Sequence, residues 1–406
     1  MLVIVAPGQG AQAPGFLTPW LAEPGLREQF AAWSDLAGCD LIRCGTTAGA
    51  DEIKGTAVAQ PLLVAAGIGV AGELFGHIED AARLCGAVAG HSVGELVAGV
   101  MAGVITPEDA LRLVRVRGEA MARAAAASET GMTAVLGGDE AEVLSKIDAH
   151  GLQPANVNGA GQIVAAGTAS QLAALGDDPP AGARLRPLSV AGAFHTQHME
   201  PAVAELRAAA GRLTVTGPRT RLLSNRDGAE VTSGSDWVDR IVTQVSAPVR
   251  WDACMRTLAG LGASAIIELP PAGTLTGLAR RAMPGVDLLT LKTPADLDRA
   301  RALVAAHAVE TAARTPEWRL LVAPMAGTFR PAEPAGTADA TDADGQPAGR
   351  SYQAGEELGH VIARGDKHPV LAPCAGDVVE WLAEDGDPVS AGQPLVRLQP
   401  EVQSPR

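Results

Sequence analysis

The chain has 406 residues, 47% of them hydrophobic and 19% charged, so it is neither a coiled coil nor a disordered polymer and can bury real cores. A formal charge of −14, from 32 basic and 46 acidic residues, argues against general attraction to nucleic acid or to membrane surfaces, and 5 Phe, 6 Trp and 1 Tyr leave little for base-stacking platforms. The five cysteines, Cys39, Cys44, Cys85, Cys254 and Cys374, contain no C-x-x-C pair, which speaks against a zinc cluster or a disulfide framework and fits a reducing, cytoplasmic setting.

Residues 1–6 are apolar but lack the basic flank and length of a secretory signal, and read as a buried first strand. The longest nearly unbroken apolar stretch, residues 62–72, falls short of the roughly 18 to 20 residues of a membrane span. Up to residue 119 short apolar runs (1–6, 84–89) alternate with helical patterns (61–75, 107–121), the signature of a parallel α/β layer. Between 133 and 190 the order becomes strand 133–136, helix 139–149, strands 154–158 and 162–167, helix 169–175 and strand 185–190. That β-α-β-β-α-β order predicts a ferredoxin-like insert. Helices at 201–210, 235–245 and 251–260, a strand at 265–269 and a helix at 273–283 resume the larger unit, and a helix at 294–311 closes it.

The fold class expected is therefore α/β: a parallel-sheet core (1–125 and 196–313) carrying a small ferredoxin-like subdomain (126–195). A linker at 314–318 leads to an all-β unit at 319–400, in which 331–350, rich in Ala, Asp, Thr, Pro and Gly, reads as a mobile loop. This last unit holds an internal repeat. Ala323-Pro324-Met325-Ala326-Gly327 answers Ala372-Pro373-Cys374-Ala375-Gly376, and Ala354-Gly355 answers Ala391-Gly392, which suggests a pseudo-symmetric β unit.

Gly90-His91-Ser92-Val93-Gly94-Glu95 gives G-x-S-x-G between an apolar run and a helical one, the pattern of a nucleophile elbow. Glycines two residues either side of Ser92 permit a sharp turn that exposes the hydroxyl, and the following helix offers free N–H groups to a reacting carbonyl. Pro7-Gly8-Gln9-Gly10-Ala11-Gln12 forms a loop after the first strand, where α/β active sites collect, and can supply a second oxyanion donor. It also fits G-x-G-x-x-A, but Pro14 and Gly15 interrupt the helix a dinucleotide site needs. His195, where the chain re-enters the larger unit, is the candidate base. His195 and His198 have metal-ligand spacing, but no acidic or thiol partner is patterned nearby, so no metal is expected.

Residues 1–313 resemble the malonyl-CoA:acyl carrier protein transacylases. The likeness rests on P-G-Q-G-x-Q at Pro7 to Gln12, G-H-S-V-G-E at Gly90 to Glu95, V-R-x-R-G at Val114 to Gly118, N-x-x-G-Q-I-V at Asn158 to Val164, G-A-F-H at Gly192 to His195 and Q-x-x-x-P-V-R-W at Gln244 to Trp251. The resemblance implies an acyltransferase core with Ser92 as nucleophile and His195 as base. The backbone amides of Gln9 and Val93 become the oxyanion hole, Arg117 the ligand of the substrate carboxylate, the Gln244 carbonyl the support of the histidine, and Phe194 and Asn158 part of the substrate pocket. It further implies malonyl-CoA and acyl carrier protein as substrates in fatty-acid or polyketide synthesis, and no cofactor. Ala247 stands where the family commonly has Asn, and Ala6 and Ala11 replace a common Phe and Ser.

An acidic enzyme serving an acidic carrier needs a local basic rim, for which Arg184, Arg186, Arg280 and Arg281 are candidates. The distal unit resembles biotinyl/lipoyl carrier domains, which carry their cofactor on a lysine at a hairpin tip. Here that tip falls near Arg364-Gly365-Asp366-Lys367-His368. Lys367 lacks the Met neighbours usual for biotinylation, so a docking or structural module without biotin is expected. A serine thioesterase or hydrolase, and a non-catalytic scaffold that recruits carboxylase or synthase subunits, are the rival readings.

Overall fold

A run of five buried apolar residues places the first strand, β1 (Leu2–Ala6), at the centre of the main sheet. The computed structural model describes residues 1–190, 192–314, 319–332, 351–373 and 375–400. They fall into two units, Met1–Ala312 and Ala313–Arg406. Of the segments expected to link and to loop, 315–318 and 333–350 lie outside the described residues.

After β1 come α1 (Pro24–Ala37), α2 (Leu41–Thr46), α3 (Ala50–Lys54), α4 (Thr56–Phe75), α5 (Ala81–Leu84), β2 (Ala87–Gly90), α6 (Gly94–Met101) and α7 (Pro107–Ala126). The insert follows as β3 (Thr130–Gly137), α8 (Glu140–Ala149), β4 (Gln153–Gly159), β5 (Gln162–Thr168), α9 (Ala169–Asp177) and β6 (Ala183–Pro187). The chain then returns through α10 (Glu200–Ala210), β7 (Arg221–Leu222), α11 (Gly234–Thr243), β8 (Val249–Arg250), α12 (Trp251–Gly260), β9 (Ala265–Glu268), α13 (Thr274–Ala282), β10 (Asp287–Thr290) and α14 (Leu297–Arg314).

The main sheet has the order β10-β9-β1-β2-β7 and every pair in it is parallel. Strands buried on both faces read as continuous apolar runs, which is why β1, β2 and β9 were visible in the sequence. Two parallel neighbours in register end together: Ala6 of β1 lies opposite Gly90 of β2. The loops that follow, one through Gln9 and one through Ser92, therefore leave the same sheet edge side by side.

Helix α4 corrects the membrane-span arithmetic. The apolar stretch at 62–72 is only the middle of a 20-residue helix that is long and apolar enough to cross a bilayer, but 78% of its apolar window is buried inside the protein. Close packing explains Gly67 and Gly69, where a Cβ would approach the Val97 and Leu26 side chains to 2.8 Å. Helix α7, capped by Thr106 with Pro107 at its first turn, packs against α4. Gly118 permits this approach, because a Cβ there would come within 3.0 Å of the Thr56 carbonyl oxygen.

The insert shows the predicted β-α-β-β-α-β order, with β6-β3-β5-β4 as neighbours. Its hairpin β4–β5 turns through Ala160 and Gly161, both at positive φ (50° and 73°), as a two-residue hairpin turn requires. Three sequence expectations shift. The last insert strand is Ala183–Pro187 and not 185–190, and the strand expected from 84 starts at Ala87, because Ala81–Leu84 is helical. The insert's sheet also has a fifth member: β8, from the larger unit, pairs in parallel with β4.

The second unit comprises β11 (Arg319–Val322), β12 (Gly327–Pro331), β13 (Ser351–Tyr352), β14 (Glu357–Ala363), β15 (Asp366–Leu371), β16 (Gly376–Trp381), β17 (Pro388–Val389) and β18 (Pro394–Pro400). They make two four-stranded antiparallel sheets, β11-β18-β16-β13 and β15-β14-β12-β17, around Phe329, Leu358, Val361, Leu395 and Leu398. The sequence repeat maps onto this symmetry. Gly327 opens a strand in one sheet and Gly376 opens a strand in the other. Gly392 N donates to Ala323 O (2.8 Å) while Gly355 N donates to Ala372 O (2.7 Å), so each half ties down the motif of the other.

Candidate active site

Ser92 occupies the turn between β2 and α6 with φ at 52°, a left-handed conformation that a residue with a side chain adopts only when its surroundings force it. Glycine is obligatory around it. A Cβ at Gly90 would lie 2.0 Å from the Gly94 carbonyl carbon, and one at Gly94 would lie 2.3 Å from Ala6 O. Asn225 braces the turn from beneath: Ser92 N donates to its Oδ1 (2.7 Å) and its Nδ2 donates to Gly90 O (2.8 Å).

The turn presents Ser92 Oγ to His195 Nε2 at 2.7 Å. His195 is itself held at positive φ (60°), and its Nδ1 lies 2.8 Å from the main-chain oxygen of Gln244. A carbonyl can only accept, so Nδ1 carries the proton and Nε2 is free to receive the serine's. Burial first, and then the nearby Arg117 charge, push the imidazole down to about 3, which keeps it neutral, with Nε2 unprotonated, in the resting site.

Arg117 reaches the same spot from α7 and is almost wholly buried, at 1% exposure. Its Nη1 donates to Gln60 Oε1 (2.6 Å), and its Nη2 donates to Gln244 Oε1 (2.7 Å) and approaches Ser92 Oγ at 3.4 Å. Its Nε has no acceptor among the described residues. A buried guanidinium with an unused donor beside a nucleophilic hydroxyl is equipped for an anionic ligand. Burial lowers its proton affinity to about 10, which still leaves it charged at neutral pH.

Behind the serine lies the carboxylate of Glu95, also buried. It accepts from Asn225 N (2.6 Å) and from Gln244 Nε2, and Gln244 Nε2 additionally donates to Ser92 O (3.1 Å). Burial raises Glu95 to about 7, against the opposing pull of these donors and of Arg117. The amides of Gln9 and Val93 have no hydrogen-bond acceptor among the described residues.

A buried Ser–His pair with an arginine at hand is the chemistry of acyl transfer from an acidic acyl donor, and the comparisons agree. Residues 3–313 match the acyl transferase domain. The malonyl CoA-acyl carrier protein transacylase of Mycobacterium tuberculosis is 53% identical over 303 residues, 73% of this chain and 98% of that protein. This chain belongs to the malonyl-CoA:acyl carrier protein transacylase family. The fold agrees with solved members: the crystal structure of the Mycobacterium tuberculosis MCAT superposes with a TM-score of 0.70 at 51% identity, covering 74% of this chain and 99% of that one. A type II PKS acyl-carrier protein in complex with its malonyl-transacylase aligns at 0.68 and 29% identity, over 74% and 99%.

Against that family background the residues singled out from sequence fall unequally. Ser92, His195, Arg117 and the Gln244 carbonyl converge on one point. Asn158 reaches the site through His91, whose Nε2 lies 2.9 Å from its Oδ1, and Phe194 is given to the hydrophobic core beside His195. Arg184, Arg186, Arg280 and Arg281 are all exposed, with no ion-pair partner among the described residues, and they fall into two pairs. Arg184 and Arg186 lie on β6 while α13, which carries the other two, lies against β4. Three inter-strand steps separate β6 from β4 only by way of β3 and β5, roughly 14 Å.

Gln60, Asn225, Glu95 and the side chain of Gln244 were missed as site residues. Glu95 was within reach of sequence reasoning, as an acid three residues after the serine in an otherwise apolar helix. Asn225 and Gln60 carry no local signal, because their roles arise from partners 133 and 57 residues away.

Proposed function

We propose that this chain transfers the malonyl group of malonyl-CoA to acyl carrier protein through a malonyl ester on Ser92. The observation that carries this reading is the buried Arg117 guanidinium, whose Nη2 lies 3.4 Å from the serine oxygen and whose Nε is uncommitted. A malonyl thioester has its carboxylate two carbons from the carbonyl under attack, so a guanidinium this near the nucleophile can hold that carboxylate by two parallel hydrogen bonds.

In this reading Ser92 Oγ attacks the thioester carbonyl as its proton passes to His195 Nε2, and Nδ1 remains bonded to the Gln244 carbonyl. The oxyanion is received by the amides of Gln9 and Val93, and losing one such donor costs about 3 kcal/mol of transition-state stabilisation. His195 returns the proton to the departing thiolate. The phosphopantetheine thiol of the carrier protein then attacks the serine ester and leaves acylated, which gives ping-pong kinetics. Asn158 bears on the site through His91, and Phe194 through its packing beside His195. No cofactor is needed, because the thioester is already an activated acyl donor.

The related malonyl-transacylase solved with its carrier protein supports the choice of partner. Fatty-acid and polyketide synthesis both use this transfer. The four described cysteines, all free, support a cytoplasmic setting. For the distal unit, the exchanged glycine–alanine hydrogen bonds and the two four-stranded sheets support a biotinyl/lipoyl-like fold. Its β14–β15 hairpin turns on Arg364 and Gly365 (φ 53° and 95°), and Lys367 lies within β15 opposite Ile362, off the tip. A docking or structural role without biotin fits that position.

Incubating the protein with labelled malonyl-CoA and carrier protein, as wild type and as Ser92→Ala, tests the reading. Label on carrier protein, lost in the variant, is the expected result. Release of free malonate identifies a hydrolase instead, and no turnover identifies a scaffold.

A further inference from the structure

The Gln244 side chain is an amide between two groups of opposite hydrogen-bonding character. Its Oε1 faces Arg117 Nη2, which can only donate, and its Nε2 faces the Glu95 carboxylate, which when ionised can only accept. Reversing the amide would set donor against donor at Arg117 and acceptor against acceptor at Glu95. Glu95 is anchored in turn by Asn225 N at 2.6 Å, and Asn225 braces the Ser92 turn. Glu95, Gln244 and Gln60 thus form a buried scaffold on which the guanidinium is hung.

We propose that Glu95 is a positioning residue for substrate choice: by fixing the orientation of the Gln244 amide it holds Arg117 in the pose that receives the carboxylate of the acyl donor. This rests on the role given to Arg117 above. Removing the charge at 95 while keeping its shape, as in Glu95→Gln, puts an N–H where the structure needs an acceptor, toward either Asn225 N or Gln244 Nε2. The Gln244 amide then keeps only Ser92 O (3.1 Å) and Asn225 Oδ1 (3.4 Å) as acceptors for its Nε2, its orientation loosens, its hold on Arg117 weakens, and the guanidinium shifts. The main-chain carbonyl of Gln244, and so the support of His195, stays in place. A donor without a carboxylate, such as acetyl-CoA, does not call on Arg117 and suffers less.

The test is the ratio of kcat/KM for malonyl-CoA to that for acetyl-CoA in wild type, E95Q, E95D, R117A and E95Q/R117A. E95Q is expected to lower the ratio about tenfold, the worth of one charge-assisted hydrogen bond, mainly by raising KM for malonyl-CoA. E95D, which keeps the charge but shortens the reach, lowers it less. In the R117A background E95Q leaves the ratio where R117A has put it. Equal losses on both donors in E95Q, or a further fall in the double variant, overturn the proposal. If R117A collapses the ratio and E95Q does not, Glu95 alone loses its role; an unchanged ratio in R117A overturns the reading of Arg117 and this one with it. Should E95Q not fold, E95D decides, and an unchanged ratio in it counts against the proposal.

Discussion

Arg117 Nη2 stands 3.4 Å from Ser92 Oγ, one hydrogen-bonding length from the atom that attacks. Arg117→Ala therefore removes the partner of the donor's carboxylate while leaving the Ser92–His195 hydrogen bond itself in place, and any effect through the lost charge beside His195 falls on both donors alike. Malonyl transfer is expected to fall roughly 100-fold more than acetyl transfer, as for a buried charge-paired contact. Side-by-side kinetics with the two CoA esters check this, and parallel losses on both would remove Arg117 from substrate recognition.

Ser92→Ala deletes the acyl acceptor. Transfer should drop on the order of 10⁴-fold or more, and intact-mass measurement after mixing with malonyl-CoA should show an adduct on wild type and none on the variant. An adduct that persists in the variant would relocate the nucleophile.

The buried imidazole of His195 ties stability to pH. Folding lowers its proton affinity from the ordinary 6.5 to about 3, so between these values the unfolded chain binds a proton that the folded chain refuses. The stability this gives is fully present above pH 6.5 and is lost as pH falls toward 3. Urea denaturation across that window should show a shallower acid-side slope for His195→Gln than for wild type. Identical slopes would contradict a neutral, desolvated histidine.

Gly94→Ala asks the elbow to hold a methyl group 2.3 Å from Ala6 O, a main-chain atom of a central strand that cannot step aside. A loss of about 3 kcal/mol in unfolding free energy is expected, at the upper end of overpacking costs. Thermal melts monitored by circular dichroism measure it, and an unchanged midpoint would mean that the loop, not the strand, yields.

Arg280 and Arg281, exposed at the end of α13, are one of the two arginine pairs expected to form the basic rim. Reversing both to Glu should raise KM for carrier protein severalfold and leave KM for malonyl-CoA unaltered, as a rim charge acts on encounter. No change with carrier protein would leave Arg184 and Arg186, across the insert's sheet, as the remaining candidates.

What could be read from the sequence was what repeats locally or packs on both sides. The parallel strands announced themselves as apolar runs, the elbow as glycines around a serine, and the distal symmetry as a duplicated Ala-Pro-x-Ala-Gly. Helix α1 carries its own local signals: Pro24 opens it, Gly38 closes it in a left-handed conformation, and Leu26, Phe30, Trp33 and Ala37 recur at helical spacing along its buried face. Two-residue strands such as β7 and β8 have no period to detect, and exist because neighbouring strands recruit them. The same holds at the site. Ser92 and His195 were marked by motif, whereas Asn225 and Gln60 gained their tasks from groups distant in the chain.

The strand that the insert borrows reaches further than its two residues suggest. The backbone runs from the Gln244 carbonyl that steadies His195 through Ala247 and Pro248 directly into β8, hydrogen-bonded alongside β4 of the insert. One short stretch of peptide thereby joins the support of the histidine to the sheet of the insert. A disturbance of the insert's sheet is passed along that peptide to the imidazole, which ties packing in the small subdomain to proton transfer in the large one.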